Sequence, residues 1–133
     1  MAKILIVEDD VGLAEATKVV LEAKGYSVIL AHNGTDGFQT ARREKPDLML
    51  LDVMMAHDSE GFEVARQIKD DPETRAIPVI LLTGIRKAKN LPFGFEPDED
   101  WLPVKAVLEK PVKPETLLKT IQQALKAASS REP

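Results

Sequence analysis

Three carboxylates, a hydroxyl and an ammonium stand at the ends of four short apolar runs in this chain. Glu8-Asp9 follow Ile4-Leu5-Ile6-Val7, Asp52 follows Leu48-Met49-Leu50-Leu51, Thr83 follows Val79-Ile80-Leu81-Leu82, and Lys110-Pro111 close the run that holds Val107-Leu108. Carboxylates gathered in a partly desolvated cleft repel one another until one takes a proton or a hard cation neutralises them. Magnesium suits an oxygen-rich site of this kind, because it keeps several waters and often completes its shell with phosphate oxygens. A phosphoryl group held there would draw on Lys110 as a point charge and on Thr83 as a hydroxyl donor. A carboxylate can itself be the nucleophile by forming an acyl phosphate. Asp52 is the candidate, since its strand is expected in the middle of the sheet, between those that bring Asp9 and Thr83. The set reads as a phosphoryl-transfer site.

The elements that must hold these groups follow from the hydrophobic pattern. Continuous apolar runs indicate strands buried on both faces, as in parallel sheets, and such sheets bind ligands beyond the carboxyl ends of their strands. Asp10 can cap a helix in which Leu13, Thr17, Val20 and Leu21 share a face, with Gly25 as its left-handed stop. Ser27 to Ala31 reads as the second strand, and Asn33-Gly34-Thr35 open a helix with Phe38 and Ala41 that ends before Lys45-Pro46. Past a polar loop from Asp52 to Glu60, Phe62, Val64, Ala65 and Ile68 mark the apolar side of a third helix, closed by Asp70-Asp71-Pro72. Ile77 to Leu82 reads as the fourth strand and Val104 to Leu108 as the fifth. Pro114 starts a last helix whose Leu117, Leu118, Ile121 and Leu125 face the sheet. Between Gly84 and Pro103, Pro92, Gly94, Pro97 and the acidic run Asp98-Glu99-Asp100 break any long helix. Five strands alternating with helices predict an open parallel α/β sheet covered on both faces.

Composition narrows the partners. A chain of 133 residues with 44% hydrophobic content accommodates one compact domain. The balance of 18 Lys+Arg against 22 Asp+Glu, a formal charge of -4, argues against direct binding to nucleic acid or to an anionic membrane. The absence of cysteine excludes disulfides and thiolate metal sites. No apolar run approaches the roughly 18 residues of a membrane span, and Glu8-Asp9-Asp10 interrupt any signal-peptide pattern, so the cytoplasm is the expected compartment. His32 and His57 have no partner spacing that suggests zinc, and His57 reads as a solvent-facing loop residue.

In order and placement, these residues resemble the receiver domain of two-component response regulators. The resemblance rests on Ile4 to Asp10, on Pro46 to Met55, on Leu81-Leu82-Thr83-Gly84 and on Leu108-Glu109-Lys110-Pro111, and it spans nearly the whole chain. It implies a flavodoxin-like five-stranded parallel sheet of order 2-1-3-4-5, with residues 1–128 as the receiver domain and 129–133 as a C-terminal tail. It makes Asp52 the phosphoacceptor. Asp9 and Asp52 become direct Mg²⁺ ligands, Glu8 acts through a metal-bound water, and Met54 offers its backbone carbonyl. Thr83 and Lys110 hold phosphoryl oxygens, while Asp10 is assigned to helix capping. The donor implied is a phosphohistidine on a sensor histidine kinase or a histidine phosphotransfer protein. The chain is then a phosphoacceptor that catalyses its own phosphotransfer and slow dephosphorylation, not an enzyme acting on others, and it switches the binding of an unidentified downstream protein.

Several positions depart from the family pattern. Val107 stands three residues before the lysine, where many receivers carry an aromatic, so an aromatic rotamer switch is excluded there. The segment from Thr83 to Lys110 is long and proline-rich, which predicts a fourth helix that is shortened or replaced by a loop, with partner specificity on that surface. Phe93, Phe95 and Trp101 are expected to cover the edge of the core. Ala56 stands where proline is usual, and Gly61 comes late. A receiver excised from a larger kinase or regulator would read the same way. An aspartyl-nucleophile phosphatase would carry a second acid two residues after the nucleophile, where this chain has Met54. A nucleotide- or flavin-binding domain would show a Gly-rich turn or Walker lysine, which this chain lacks.

Overall fold

Strand β1 (Lys3–Val7) pairs in parallel with β2 (Ser27–Ala31) on one side and with β3 (Leu48–Asp52) on the other. Strand β4 (Val79–Thr83) lies beside β3, and β5 (Ala106–Glu109) beside β4. The parallel sheet thus has the order β2-β1-β3-β4-β5, an α/β flavodoxin-like fold. The computed structural model describes residues 2–52, 60–83, 106–109 and 112–130. Lys110, Met54 and the crossover between β4 and β5, with its expected shortened helix and its Phe93, Phe95 and Trp101, lie outside these described residues.

The apolar runs supply two faces because side chains alternate along a strand. Leu5, Val7, Met49, Leu51, Val79 and Leu81 form one core with helices α2 (Gly34–Glu44) and α3 (Glu60–Asp70), which contribute Ala41, Val64, Ala65 and Ile68. Ile4, Ile6, Leu48, Leu50, Ile80 and Leu82 form the other with Leu21 of α1 (Val11–Glu22) and Leu117 and Ile121 of α4 (Pro114–Ser130). Burial on both faces accounts for the unbroken apolar runs Ile4 to Val7 in β1 and Leu48 to Leu51 in β3.

Helix α1 keeps most of its expected face: Leu21 is fully buried and Thr17 and Val20 are half-buried, but Leu13 is exposed and Ala14 is buried instead. The Asp10 side chain caps the helix, accepting from the Leu13 N–H at 3.0 Å, and the next residue, the small Ala14, is fully buried. After α1 the chain turns through Gly25 at φ 94°, in the left-handed region that glycine enters without a Cβ penalty. Asn33 caps α2 by accepting from the Asp36 N–H at 2.8 Å, and Lys45 ends it in left-handed geometry just before Pro46.

Other boundaries also move. β4 begins at Val79 and runs to Thr83, although the Pro78 carbonyl, one residue earlier, already accepts from the Met49 N–H at 2.9 Å. Pro78 has no donor of its own to extend the ladder. β5 covers Ala106–Glu109, and α4 continues through Ser130, two residues into the segment expected as tail.

Candidate functional site

The register of β1 and β3 carries the site. Val7 pairs with Leu51, so Glu8, the next residue after β1, comes level with Asp52 at the end of β3. On the other side of β3, Asp52 pairs with Leu82, which puts Thr83 one residue further along β4. Thr83 in turn pairs with Glu109, the last residue of β5 and the one preceding Lys110 in the chain. The sheet edge therefore collects Glu8, Asp9, Asp52 and the Thr83 position.

Glu8, Asp9 and Asp52 each offer a carboxylate oxygen, and these oxygens all lie within 4.8 Å of one another. Their surroundings differ. Glu8 and Asp52 are 3% and 2% exposed, whereas Asp9 is open to solvent. Burying ionised carboxylates is costly without compensation. Part of it for Glu8 comes from the backbone: its Oε2 accepts from the Asp10 N–H at 3.2 Å. That bond places Glu8 near the positive end of the α1 dipole. Two unit charges at the 4.8 Å spacing still repel by roughly 3.5 kcal/mol at an effective dielectric of about 20. A divalent cation relieves that repulsion.

The donor set fits a hard cation. All three groups are oxygen donors, two are fixed by burial at strand ends, and the exposed third leaves the site open to water or phosphate oxygens. Asp10 is placed apart in function, since its Oδ1 is the α1 cap.

One contact at the site has no sequence signal. The His32 Nδ1 lies 3.0 Å from the backbone carbonyl oxygen of Glu8. A histidine partnered by a main-chain group leaves no spacing pattern to read, because every residue carries a carbonyl.

A family model described as response regulator receiver domain matches residues 4–122. The chain is 41% identical over 125 residues to Protein PilH of Pseudomonas aeruginosa, a match covering 94% of this chain and 98% of that protein. It is 33% identical over 125 residues to the polar-differentiation response regulator DivK of Brucella anthropi, covering 92% and 94% respectively. Among solved structures, a CheY-like response regulator receiver domain protein from Methanospirillum hungatei JF-1 matches with a TM-score of 0.84 and 28% identity, over 99% of each chain.

Proposed function

The chain belongs to the response regulator receiver domain family of two-component signalling, and from that premise we propose that Asp52 is its phosphoacceptor. Receiver domains take phosphoryl groups from histidine kinases or histidine phosphotransfer proteins. The observation that carries the assignment is Asp52 itself: a nearly buried carboxylate ending the central strand, within 4.8 Å of the Glu8 and Asp9 carboxylates.

In the transfer, an Asp52 carboxylate oxygen forms a bond to phosphorus as the P–N bond of the donor phosphohistidine breaks, and the electron pair of that bond returns to the imidazole. Glu8, Asp9 and Asp52, with the Met54 backbone carbonyl, would hold Mg²⁺. The ion, when bound, supplies positive charge against the carboxylates and the phosphoryl oxygens. Thr83 and Lys110 hold the remaining phosphoryl oxygens, as hydroxyl donor and point charge. The chain's own contribution is thus orientation and electrostatics, with little covalent chemistry beyond the nucleophile. Water admitted to the same geometry slowly reverses the modification. The new phosphoryl charge at the strand ends biases the adjoining surface between two states and so alters binding of a downstream protein. The proposed compartment is the cytoplasm; among the described residues no helix is long and apolar enough to cross a membrane.

Incubation with acetyl phosphate and Mg²⁺, followed by intact-mass measurement and peptide mapping, tests the reading. Phosphate is expected on Asp52 and absent from Asp52→Asn or in excess EDTA. Undiminished phosphate on the Asp52→Asn protein overturns it.

A further inference from the structure

We propose that His32 is a positioning residue for the acidic site, holding the Glu8–Asp9 peptide so that both side chains can share one cation; this rests on the metal-binding reading above. Strand β2 ends at Ala31, paired with Val7, the last residue of β1. The ladder runs one rung further, because the Glu8 N–H donates to the Ala31 carbonyl at 2.9 Å. Beyond that rung β2 has ended, and Asn33 caps α2. At this point the His32 ring reaches back, its Nδ1 3.0 Å from the Glu8 carbonyl oxygen. A carbonyl oxygen only accepts, so the ring nitrogen facing it must carry the hydrogen. The imidazole adds a side-chain bond to the strand pairing at this point.

The bonded carbonyl belongs to the peptide that joins Glu8 to Asp9. Holding its oxygen fixes the plane of that peptide, and the plane sets the direction in which Asp9 leaves the backbone. Glu8 has further restraints in its burial, its Ala31 bond and its Asp10 bond. Asp9 is exposed and stands past the end of β1, so the orientation of this peptide matters most for its carboxylate. The 4.8 Å clustering with Glu8 and Asp52 depends on that orientation. Groups that orient metal ligands from behind tune affinity without touching the ion.

The test compares wild type, His32→Leu, which fills similar space without a donor, and His32→Asn, whose Nδ2 sits at the same distance along the side chain as Nδ1. Mg²⁺ affinity is read by calorimetry and thermal midpoints by circular dichroism, on the full chain without any phosphodonor. His32→Leu is expected to raise the Mg²⁺ dissociation constant roughly 3- to 10-fold, the range of one modest hydrogen bond. His32→Asn is expected to stay within about twofold of wild type, while thermal midpoints without metal report separately the loss of folding stability in the donorless variant. With acetyl phosphate, the Leu variant should need more Mg²⁺ for half-maximal labelling yet reach the same limiting rate. Should the Leu variant fail to fold, His32→Ala makes the same comparison. Unchanged affinity in the donorless variant, or an equal loss in His32→Asn, overturns the proposal alone. A wild-type chain that binds no Mg²⁺ overturns it together with the metal-site reading.

Discussion

Gly37 lies so close to Val7 that a Cβ at Gly37 would stand 2.7 Å from one Val7 methyl and 3.0 Å from the other. Val7 is fully buried and is followed directly by Glu8, so this contact seats helix α2 on the strand end that carries the acidic pair. Helix propensity alone would favour alanine at Gly37 by about 1 kcal/mol. Overpacking against a β-branched core side chain costs about 1–3 kcal/mol, because Val7 has no flexible end to move aside. Gly37→Ala is therefore expected to lower stability by up to about 2 kcal/mol, measured as a reduced urea midpoint at unchanged slope. A raised midpoint would show that α2 can shift away from β1 at little cost.

Asp10 offers a clean separation of capping from chemistry. Its side chain accepts from the Leu13 N–H at 3.0 Å, while its own N–H serves Glu8 whatever side chain it carries. Asp10→Ala should cost about 1 kcal/mol of stability as a lost N-cap, with phosphate labelling of Asp52 retained. Loss of labelling in a folded Asp10→Ala protein would contradict the division of roles among the three consecutive acidic residues.

Thr74 supports the opposite end of α3. It is fully buried, and its Oγ1 donates to the Ile68 carbonyl at 2.7 Å, tying the turn after the helix to its last buried residue. Thr74→Val keeps the shape and removes the donor, leaving that carbonyl without this partner. A loss of about 1–3 kcal/mol is expected in denaturant unfolding. A neutral result would mean that water reaches the Ile68 carbonyl.

Thr74 and His32 share a reason for being hard to read from sequence: each acts on a main-chain carbonyl, and carbonyls have no pattern. The strands were legible for the converse reason. Burial on both faces leaves Ile4 to Val7 and Leu48 to Leu51 as unbroken apolar runs within β1 and β3, and their parallel register then brings Glu8 and Asp9 beside Asp52. Hydropathy placed Thr17, Val20 and Leu21 of α1 on the buried side but misjudged its first turn, where the small Ala14 is buried and the larger Leu13, whose N–H the Asp10 cap holds, is exposed. The expected roles of Lys110 and Met54 rest on resemblance, as both lie outside the described residues.

Glu44 gives a pH-dependent signature away from the site. The hydrogen bond from Arg43 holds its carboxyl below the ordinary carboxylate value, with a further contribution from the charge of Lys3. A depressed folded-state value means that the linked stability is present above the unfolded carboxylate range and is lost as pH falls through the folded value. The group is exposed, so the effect on unfolding is small and the direct measurement is an NMR titration. Glu44 should titrate below a free glutamate, and Arg43→Gln should raise it more than Lys3→Gln. The reverse order would reassign the main partner.

Metal and charge should act in opposite directions at Asp9. Without a cation, three carboxylates within 4.8 Å repel one another, and Asp9 is the one whose removal leaves the two buried groups in place. The roughly 3.5 kcal/mol per pair estimated at an effective dielectric of about 20 is reduced by solvent around this exposed member. Asp9→Asn is thus expected to stabilise the metal-free protein by about 0.5–1 kcal/mol. In Mg²⁺ the order reverses. A ligand that binds only the folded state adds about 2.7 kcal/mol at a hundredfold excess over its dissociation constant, and the variant forfeits most of that gain. Urea midpoints in EDTA and in Mg²⁺ should therefore cross between wild type and Asp9→Asn. Parallel shifts in the two conditions would mean that Asp9 contributes to folding but not to cation binding.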